Sequence, residues 1–342
     1  DAKDYQSNLL CDACYSSHFK VCFCCDDRYD RQEERDGNAW GGMCPACSED
    51  HFECNHCGQV LYQDDYGEDG VCQACLEAAD IRHIHPYNAG GDNGVVFQPN
   101  SFESLYFGVE LESDNYDDRA KAATELNKIS DDECLFWLEQ DCSLECGIEI
   151  ISQPCTLDYH KAIFPWRKII QIVKEHGGKG QDTKTAALHI HFSLDFFRGK
   201  QSELYQLRLI YLFEKFYAEL ARLGRASPYL LERSAKKYNR NLHDCSAQRK
   251  MRELRGQYDR MCAVNITTQA DTIEIRIFRS TLQVSIILAS LELVDFLVRL
   301  AKKTSTKKLQ EMTWSTLLKQ IDTKKYSYLC RYLATLETGA AK

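Results

Sequence analysis

An α+β fold is what the sequence predicts: an antiparallel β-sheet with one open polar face, helices packed on its other face, and small cysteine-knuckle units ahead of it. Three observations predict it. Ten cysteines between positions 11 and 75 fall into five C-x-x-C pairs. Beyond position 104, short segments alternate polar and apolar residues, the period of a strand with one buried face. Between and after them run longer segments with apolar residues three and four apart, the stripe of a helix resting on a core.

The knuckles come first. Cys11/Cys14, Cys22/Cys25, Cys44/Cys47, Cys54/Cys57 and Cys72/Cys75 are the pairs, and Cys24 is extra. A C-x-x-C sets two thiolates on one tight turn, and two such turns complete a tetrahedral zinc shell. A disulfide framework is the weaker reading, because no secretory leader is present and the other seven cysteines are scattered. CDAC-YSSHFKV-CFCC resembles CPAC-SEDHFE-CNHC, which pairs Cys22/Cys25 with Cys44/Cys47 and Cys54/Cys57 with Cys72/Cys75, across 18 and 14 residues. Both units read as zinc ribbons or treble clefs holding structural Zn²⁺; a crossed pairing, as in RING or LIM domains, is the rival. Cys11/Cys14 closes a unit whose opening knuckle is missing. The chain starts at Asp1 and not Met, so a segment upstream is expected to have been removed. His18, His51 and His56 could each replace a thiolate, but solvated connector histidines are the simpler reading.

Charge separates this module from the rest. Residues 1–100 carry 19 acidic and six basic side chains, and the remainder is net positive by four. So acidic a module repels phosphate backbones, which makes nucleic acid a poor partner and a protein or peptide a better one. The apolar run Val284 to Leu300 is interrupted by Glu292 and Asp295, so it reads as a buried helix and not a membrane span. With no leader either, a cytoplasmic protein is expected.

The expected organisation is a zinc module at 1–80, a Gly/Asn-rich linker at 81–100 with His83 and His85 solvated, a sheet domain at 101–302 and a helical extension at 303–342. Strands are expected at Leu105–Leu111, Cys134–Glu139, Gly147–Ser152, Ala187–Leu194, Cys262–Thr267 and Thr272–Phe278. Helices are expected at Asp158–Glu175, Ser202–Leu223 and Val284–Lys302, with two more in 307–337. The stripes Leu207, Ile210, Phe213, Tyr217, Leu220 and Ile287, Leu291, Val294, Val298 are core faces.

The polar strand residues carry the chemistry. Glu110 and Glu112 share a face opposite Val109 and Leu111. Glu149 points away from Ile148 and Ile150. His189 and His191 share a face. Glu274 and Arg276 lie opposite Ile273, Ile275 and Ile277. Clustered carboxylates repel unless cations sit among them, and hard oxygen donors suit Mg²⁺ or Mn²⁺. Arginine beside them suits phosphate, and together these are the parts of phosphoryl transfer. No P-loop spacing occurs; Gly177 to Gly180 reads as a loop after a helix. Any one such motif is common on an ordinary amphipathic strand; four in order say more.

Four stretches, YFGVELE (Tyr106 to Glu112), DCSL with GIEIISQP (Asp141 to Pro154), LHIH (Leu188 to His191) and VNI with TIEIRIFRSTL (Val264 to Leu282), resemble the ordered motifs of the amidoligase family, within the glutamine synthetase and glutamate–cysteine ligase superfamily. The resemblance covers about residues 104–300 and leaves the cysteines aside. It implies a sheet whose open face binds ATP and divalent metal. ATP phosphorylates a substrate carboxylate, and an amine then displaces phosphate to leave an amide. By motif, Glu110, Glu112, Glu149 and Glu274 are the implied metal ligands. His189, and with it His191, is placed at metal or phosphate, and Arg276 and Arg279 on the transferring phosphate. Asp141, Ser143 and Asn265 shape the site. Three rivals remain: a cupin-type oxygenase using His189, His191 and Asp195, for which only His243 follows as a further histidine; a non-catalytic ATP-binding scaffold with a zinc adaptor; and a nucleic-acid-binding zinc ribbon, which the acidic module disfavours.

Overall fold

The computed structural model describes the chain apart from residues 1, 6–7, 12–16, 56, 67–69, 73–74, 76–83, 92–93, 100–104, 131–132, 184, 227–230, 232–248, 250, 252–261, 267, 269–270 and 338–342. It divides into two compact units, Asp1–Ile81 and Arg82–Lys342. No described helix is long and apolar enough to cross a membrane.

The first unit repeats one device. After a hairpin of β1 (Ala2–Tyr5) and β2 (Asn8–Cys11), strands β3 (Phe19–Val21) and β4 (Arg28–Asp30) flank the Cys22/Cys25 turn. Helices α1 (Gln32–Arg35) and α2 (Pro45–Glu49) follow. Strands β5 (His51–Glu53) and β6 (Val60–Tyr62) then flank Cys54/Cys57. The two turns make the same backbone bonds: Cys22 N–H to Asp27 O and Asp26 N–H to Cys22 O, then Cys54 N–H to Gln59 O and Gly58 N–H to Cys54 O. Both put the residue after the second cysteine in the left-handed region, Asp26 at φ 60° and Gly58 at φ 66°. Glycine adopts that conformation freely, and aspartate tolerates it better than most residues. The apolar content is small. Around the first knuckle it is Cys22, Tyr29, Ala39 and Met43, too little to hold a fold without a staple.

The second unit is built on a six-stranded sheet: β7 (Phe107–Ser113), β8 (Phe136–Glu139), β9 (Ile148–Ser152), β10 (Ala187–Ser193), β11 (Val264–Asn265) and β12 (Thr272–Arg279). Its order is β11-β12-β10-β7-β9-β8 and every pairing is antiparallel. Val109, Leu111, Ile148, Ile150, Leu188, Ile190, Ile273 and Ile275 are buried on one face. They share a core with α3 (Arg119–Ser130), α5 (Trp166–Glu175), α6 (Ser202–Lys215) and α8 (Val284–Lys303).

Two long helices of the sequence reading are each broken. Residues 158–175 give α4 (Leu157–Ala162) and α5, because Pro165 bars Phe164 from helical backbone. Residues 202–223 give α6 and α7 (Tyr217–Leu223), split at Phe216 (φ −108°, ψ 30°). The tail holds three helices and not two: α9 (Thr306–Glu311), α10 (Trp314–Leu318) and α11 (Ser327–Glu337). Ser305 and Thr313 cap the first two, accepting from Lys308 N and Thr316 N.

Glu292 and Asp295, which interrupt the apolar run of α8, anchor this tail. Glu292 Oε2 accepts the Leu329 N–H at 2.8 Å in the first turn of α11. Asp295 accepts from Tyr326 Oη at 2.7 Å and lies 2.9 Å from Lys325 Nζ. Both acids are fully buried.

The segment read as a linker is no free linker. His85 bridges to Glu139, Val96 N–H donates to Gln153 Oε1, and Gln98 N–H donates to Pro154 O. His85 is not solvated either: its Nε2 sits 2.5 Å from Glu133 Oε1. Gly/Asn composition marked an irregular backbone there, but such a chain can still be satisfied along a sheet edge. His83 lies outside the described residues.

Candidate active site and metal centres

Sheet register assembles the site. Glu139 is opposite Glu149 and Glu149 opposite Glu112, so three carboxylates lie in one row across β8, β9 and β7. One step along, Glu110 is opposite His189, and His191 is opposite Glu274. Like charges placed directly opposite on a sheet repel, so the row needs a compensating cation or a proton.

The side chains interlock. His189 Nδ1 lies 3.1 Å from Glu110 Oε2, 3.5 Å from Glu274 Oε1 and 3.7 Å from Glu112 Oε1. His191 Nε2 is 2.8 Å from Glu110 Oε1, at ion-pair distance without hydrogen-bond alignment. Arg276 Nη1 bonds to Glu274 Oε1, and Asn265 Nδ2 donates to Glu274 Oε2 at 2.7 Å. The Ala187 N–H donates to Glu112 Oε2 at 2.6 Å.

One expectation needs correcting here. The polar face is not open at its centre, where Glu112, Glu149, Glu274 and His189 are only 3–5% exposed. These groups cover one another. Glu110, His191 and Arg276 remain accessible, with side chains 19–24% exposed.

Protonation follows from that crowding. Burial, then Asp141 and Glu110, push Glu112 up to about 7 against the pull of His189. Burial and the surrounding carboxylates push Glu149 well above the usual range. Burial would also raise Glu110, but His191 and His189 hold it well below. Glu110, in the same way, overcomes burial to bring His191 up to about 9. Acid and base are thus pulled apart within one cluster, as at functional sites generally.

The donor set fits hard divalent cations. Three overlapping groups, Glu110/His191/Glu274, Glu110/Glu149/His189 and Glu112/Asp141/Glu149, each hold ligand atoms within 4.8 Å of one another. The His189 and His191 Nε2 atoms are buried and lack hydrogen-bond partners, as a ligand nitrogen awaiting an ion would be. Carboxylate-rich sets with few imidazoles suit Mg²⁺ or Mn²⁺.

The remaining sequence-derived residues divide. Asp141 joins the cluster. Ser143 is exposed; its N–H caps Asp141 Oδ1 at 2.7 Å and its carbonyl accepts from Thr185 Oγ1 at 2.8 Å, with no hydroxyl contact to the cluster among the described residues. Arg279 falls on the polar side only because β12 shifts register between Leu188 and Ile190, bringing it opposite Ala187. It does not reach the carboxylates; its Nη2 donates to Thr183 O at 3.2 Å. The oxygenase ligand set does not form, since Asp195 is exposed and pairs with Arg198 at 2.7 Å; His243 lies outside the described residues.

Two features escaped the sequence reading. Glu139 is 3% exposed and accepts from Trp137 Nε1 at 2.7 Å and from the N–H groups of Asn88 and Gly90 at 2.9 Å. Its alternation with Phe136 and Leu138 was the available signal. Asp114 accepts from Glu145 N–H at 3.2 Å and Cys146 N–H at 2.8 Å, holding the loop that carries Asp141. Nothing local in the sequence showed that.

Residues 106–298, more than half of the chain, match the family described as "Putative amidoligase enzyme". The chain belongs to this amidoligase family. No curated protein matches it. The amidoligase domain thus contains every member of the carboxylate–imidazole cluster, and family membership makes a ligase-type enzyme the general reading.

The cysteines form a second kind of centre, within the other unit. Cys22, Cys25, Cys44 and Cys47 gather in one tetrad and Cys54, Cys57, Cys72 and Cys75 in another, each with sulfurs within 4.8 Å. The pairing is sequential and not crossed. Amides point at the sulfurs, with Cys24 N–H on Cys22 Sγ at 3.4 Å and Cys72 N–H on Cys54 Sγ at 3.2 Å. Burial opposes ionisation of Cys22, but the backbone amides of Cys25, Cys44 and Cys24 hold it at about 6. Such sulfur tetrads fit tetrahedral Zn²⁺. His51 is not a solvated connector: it is buried, with Nδ1 2.7 Å from Cys47 O and Nε2 3.7 Å from Cys24 Sγ. His18 is exposed. Cys14, His56 and the Cys11 side chain lie outside the described residues.

Proposed function

We propose that this amidoligase is an ATP-dependent carboxylate–amine ligase. The observation that carries the proposal is the convergence of Glu110, Glu112, Glu149, Glu274, His189, His191 and Arg276 on one sheet face with three overlapping donor groups. A glutamine-synthetase-like course suits it. The substrate carboxylate attacks the γ-phosphorus of ATP, releasing ADP and forming an acyl phosphate. The amine then attacks the acyl carbon, phosphate leaves, and the amine proton passes to a base.

Divalent metal bound by Glu110, Glu112, Glu149 and Glu274 would supply charge neutralisation opposite the phosphates. The chain's own groups do the rest. Arg276, held by Glu274, presents a fixed positive charge where negative charge develops. Glu149, whose proton is favoured by burial and then by the neighbouring carboxylates, becomes a ligand on losing it. His191, whose proton Glu110 favours when no cation is present, becomes a ligand beside Glu110 and Glu274 on losing it. Asn265 fixes the Glu274 carboxylate from the β11 side.

The zinc module is proposed to recruit a protein or peptide substrate. Its acidity and its exposed Val21, Phe23 and Tyr62 side chains support a protein partner. The test is a screen of amino acids, polyamines and peptides for release of ADP and phosphate in the presence of Mg²⁺, with amide detected by mass. ADP formed in step with amide supports the reading; absence of nucleotide turnover with every acceptor class sinks it.

A further inference from the structure

We infer that a basic cleft at the end of the sheet, completed by the C-terminal helix α11, holds an oxyanion group of the substrate, a carboxylate or a phosphate. The word substrate rests on the ligase reading; the anion site does not.

The cleft has a volume of about 520 Å³, and Gln181, Asp182, Arg225, Arg279, Tyr328 and Arg331 line it. Three guanidinium groups face one exposed carboxylate, and none of the three forms an ion pair there with a described residue. Neutral acceptors orient them instead. Arg225 Nη1 donates to Gln181 Oε1 at 2.6 Å and Nη2 to Ser280 O at 3.4 Å, while Arg279 Nη2 donates to Thr183 O at 3.2 Å. The Nε atoms of Arg225 and Arg279 are buried with no partner at all. Burial lowers the pKa of Arg225; Tyr332 opposes the shift and Arg279 adds to it.

Paired, oriented and unneutralised guanidinium groups are costly unless an anion joins them, and their forked donors match carboxylate and phosphate oxygens. Arg331 on the rim is stacked on the Tyr328 ring, 4.6 Å from its centroid.

Position ties the cleft to the carboxylate face. Arg279 is opposite Ala187, whose N–H holds Glu112. Arg279 therefore stands two strands from Glu112, roughly 10 Å at the usual strand spacing. One small molecule can reach both, with its reacting group among the carboxylates and a second, anionic group in the cleft. Tyr328 and Arg331 lie beyond residue 298, where the family match ends. The buried acids Glu292 and Asp295 hold it in place.

The test is calorimetric titration of the full chain with glutarate and, separately, pyrophosphate, at low ionic strength without added divalent metal. At least one should bind the wild type, and Arg225→Gln and Arg331→Gln should each weaken it about tenfold or more, the worth of a charge-assisted hydrogen bond. Preference for glutarate assigns the cleft to a substrate carboxylate. Preference for pyrophosphate, with displacement by ATP, assigns it to phosphate. The inference is overturned if neither anion binds the wild type, or if both variants melt as the wild type does and bind with unchanged affinity. Should Arg225→Gln fail to fold, Arg331→Gln, an exposed helix position, decides alone. Since the readout is binding, the cleft can stand when no ADP is released, an outcome that removes only the ligase reading.

Discussion

Replacing Arg276 by lysine keeps the charge and removes the fork. In the structure Nη1 bonds to Glu274, whose other oxygen accepts from Asn265 Nδ2 at 2.7 Å and whose side chain is almost wholly buried. An ammonium is a compact point charge and cannot hold a carboxylate and a phosphate oxygen with one planar group. Loss of one such positioned donor costs about 10²–10³-fold in turnover. It also loosens a charge-assisted bond to a buried carboxylate, worth about 1.5–3 kcal/mol, and each kcal/mol lowers Tm by about 2–4 °C in a domain of this size. Alanine is the blunter probe: Arg276 is half-buried, so its removal strands the Glu274 charge and mixes folding with chemistry. The assay is ADP release under saturating metal, read beside a thermal melt. Turnover of Arg276→Lys close to the wild-type rate, in a protein that melts a few degrees lower, would refute the assignment of Arg276 to the phosphoryl group.

Three further outcomes are expected. Elemental analysis should find about one zinc for each cysteine tetrad, and Cys44→Ser should remove one without disturbing the other, because the two sets share no ligand; disulfide-bonded cysteines with less than one zinc per chain would contradict this. Without divalent metal, Tm should fall as pH rises. Glu112, raised from 4.5 to about 7, contributes stability that is full below pH 4.5 and lost through pH 7, and His191, raised from 6.5 to about 9, contributes stability lost through pH 9. Glu110, held low, acts oppositely and loses its contribution only in acid. Added Mg²⁺ or Mn²⁺ should therefore raise Tm more at pH 8 than at pH 6, since its ligands must be deprotonated; an equal rise at both would count against the cluster. Finally, a chain truncated to begin at Arg82 should keep its activity on small acceptors, whereas one beginning at Asn100 should be destabilised, because it loses the His85 bridge and the Asn88 and Gly90 amides that satisfy buried Glu139; equal melting of the two would show those bonds to be dispensable.

What the sequence showed depended on the range of the interaction. Period-2 alternation placed Glu110, Glu112, Glu149, His189, His191 and Glu274 on one face, because side-chain direction along a strand is a local property. The cysteine knuckles were legible for the same reason. Burial of the polar face was not, because it comes from strand neighbours that only the sheet order brings together: β10 lies between β7 and β12, and β9 between β7 and β8. Arg279 came from motif resemblance alone; simple alternation from Glu274 and Arg276 would turn it to the apolar face, and only the register shift on β12 brings it to the polar side. Glu292 and Asp295 were visible as interruptions of an apolar helix, but their partners, Leu329 in α11 and Tyr326 just before it, are more than 30 residues away. Glu139 stood at the end of the expected strand Cys134–Glu139, and its backbone donors, the Asn88 and Gly90 N–H groups, come from a segment that only the fold lays beside it.

The central claim, that the carboxylate–imidazole face is a divalent-metal and nucleotide site, is tested most directly by Mn²⁺ binding measured by electron paramagnetic resonance. Glu110 and Glu149 share one donor group and each joins a second, so one substitution should touch more than one ion. The account predicts that the wild-type protein binds Mn²⁺ more tightly with ATP present than without, and that Glu110→Gln and Glu149→Gln each lose most of that binding while remaining folded. Mn²⁺ affinity that is unaltered in both variants, or indifferent to ATP, would contradict it.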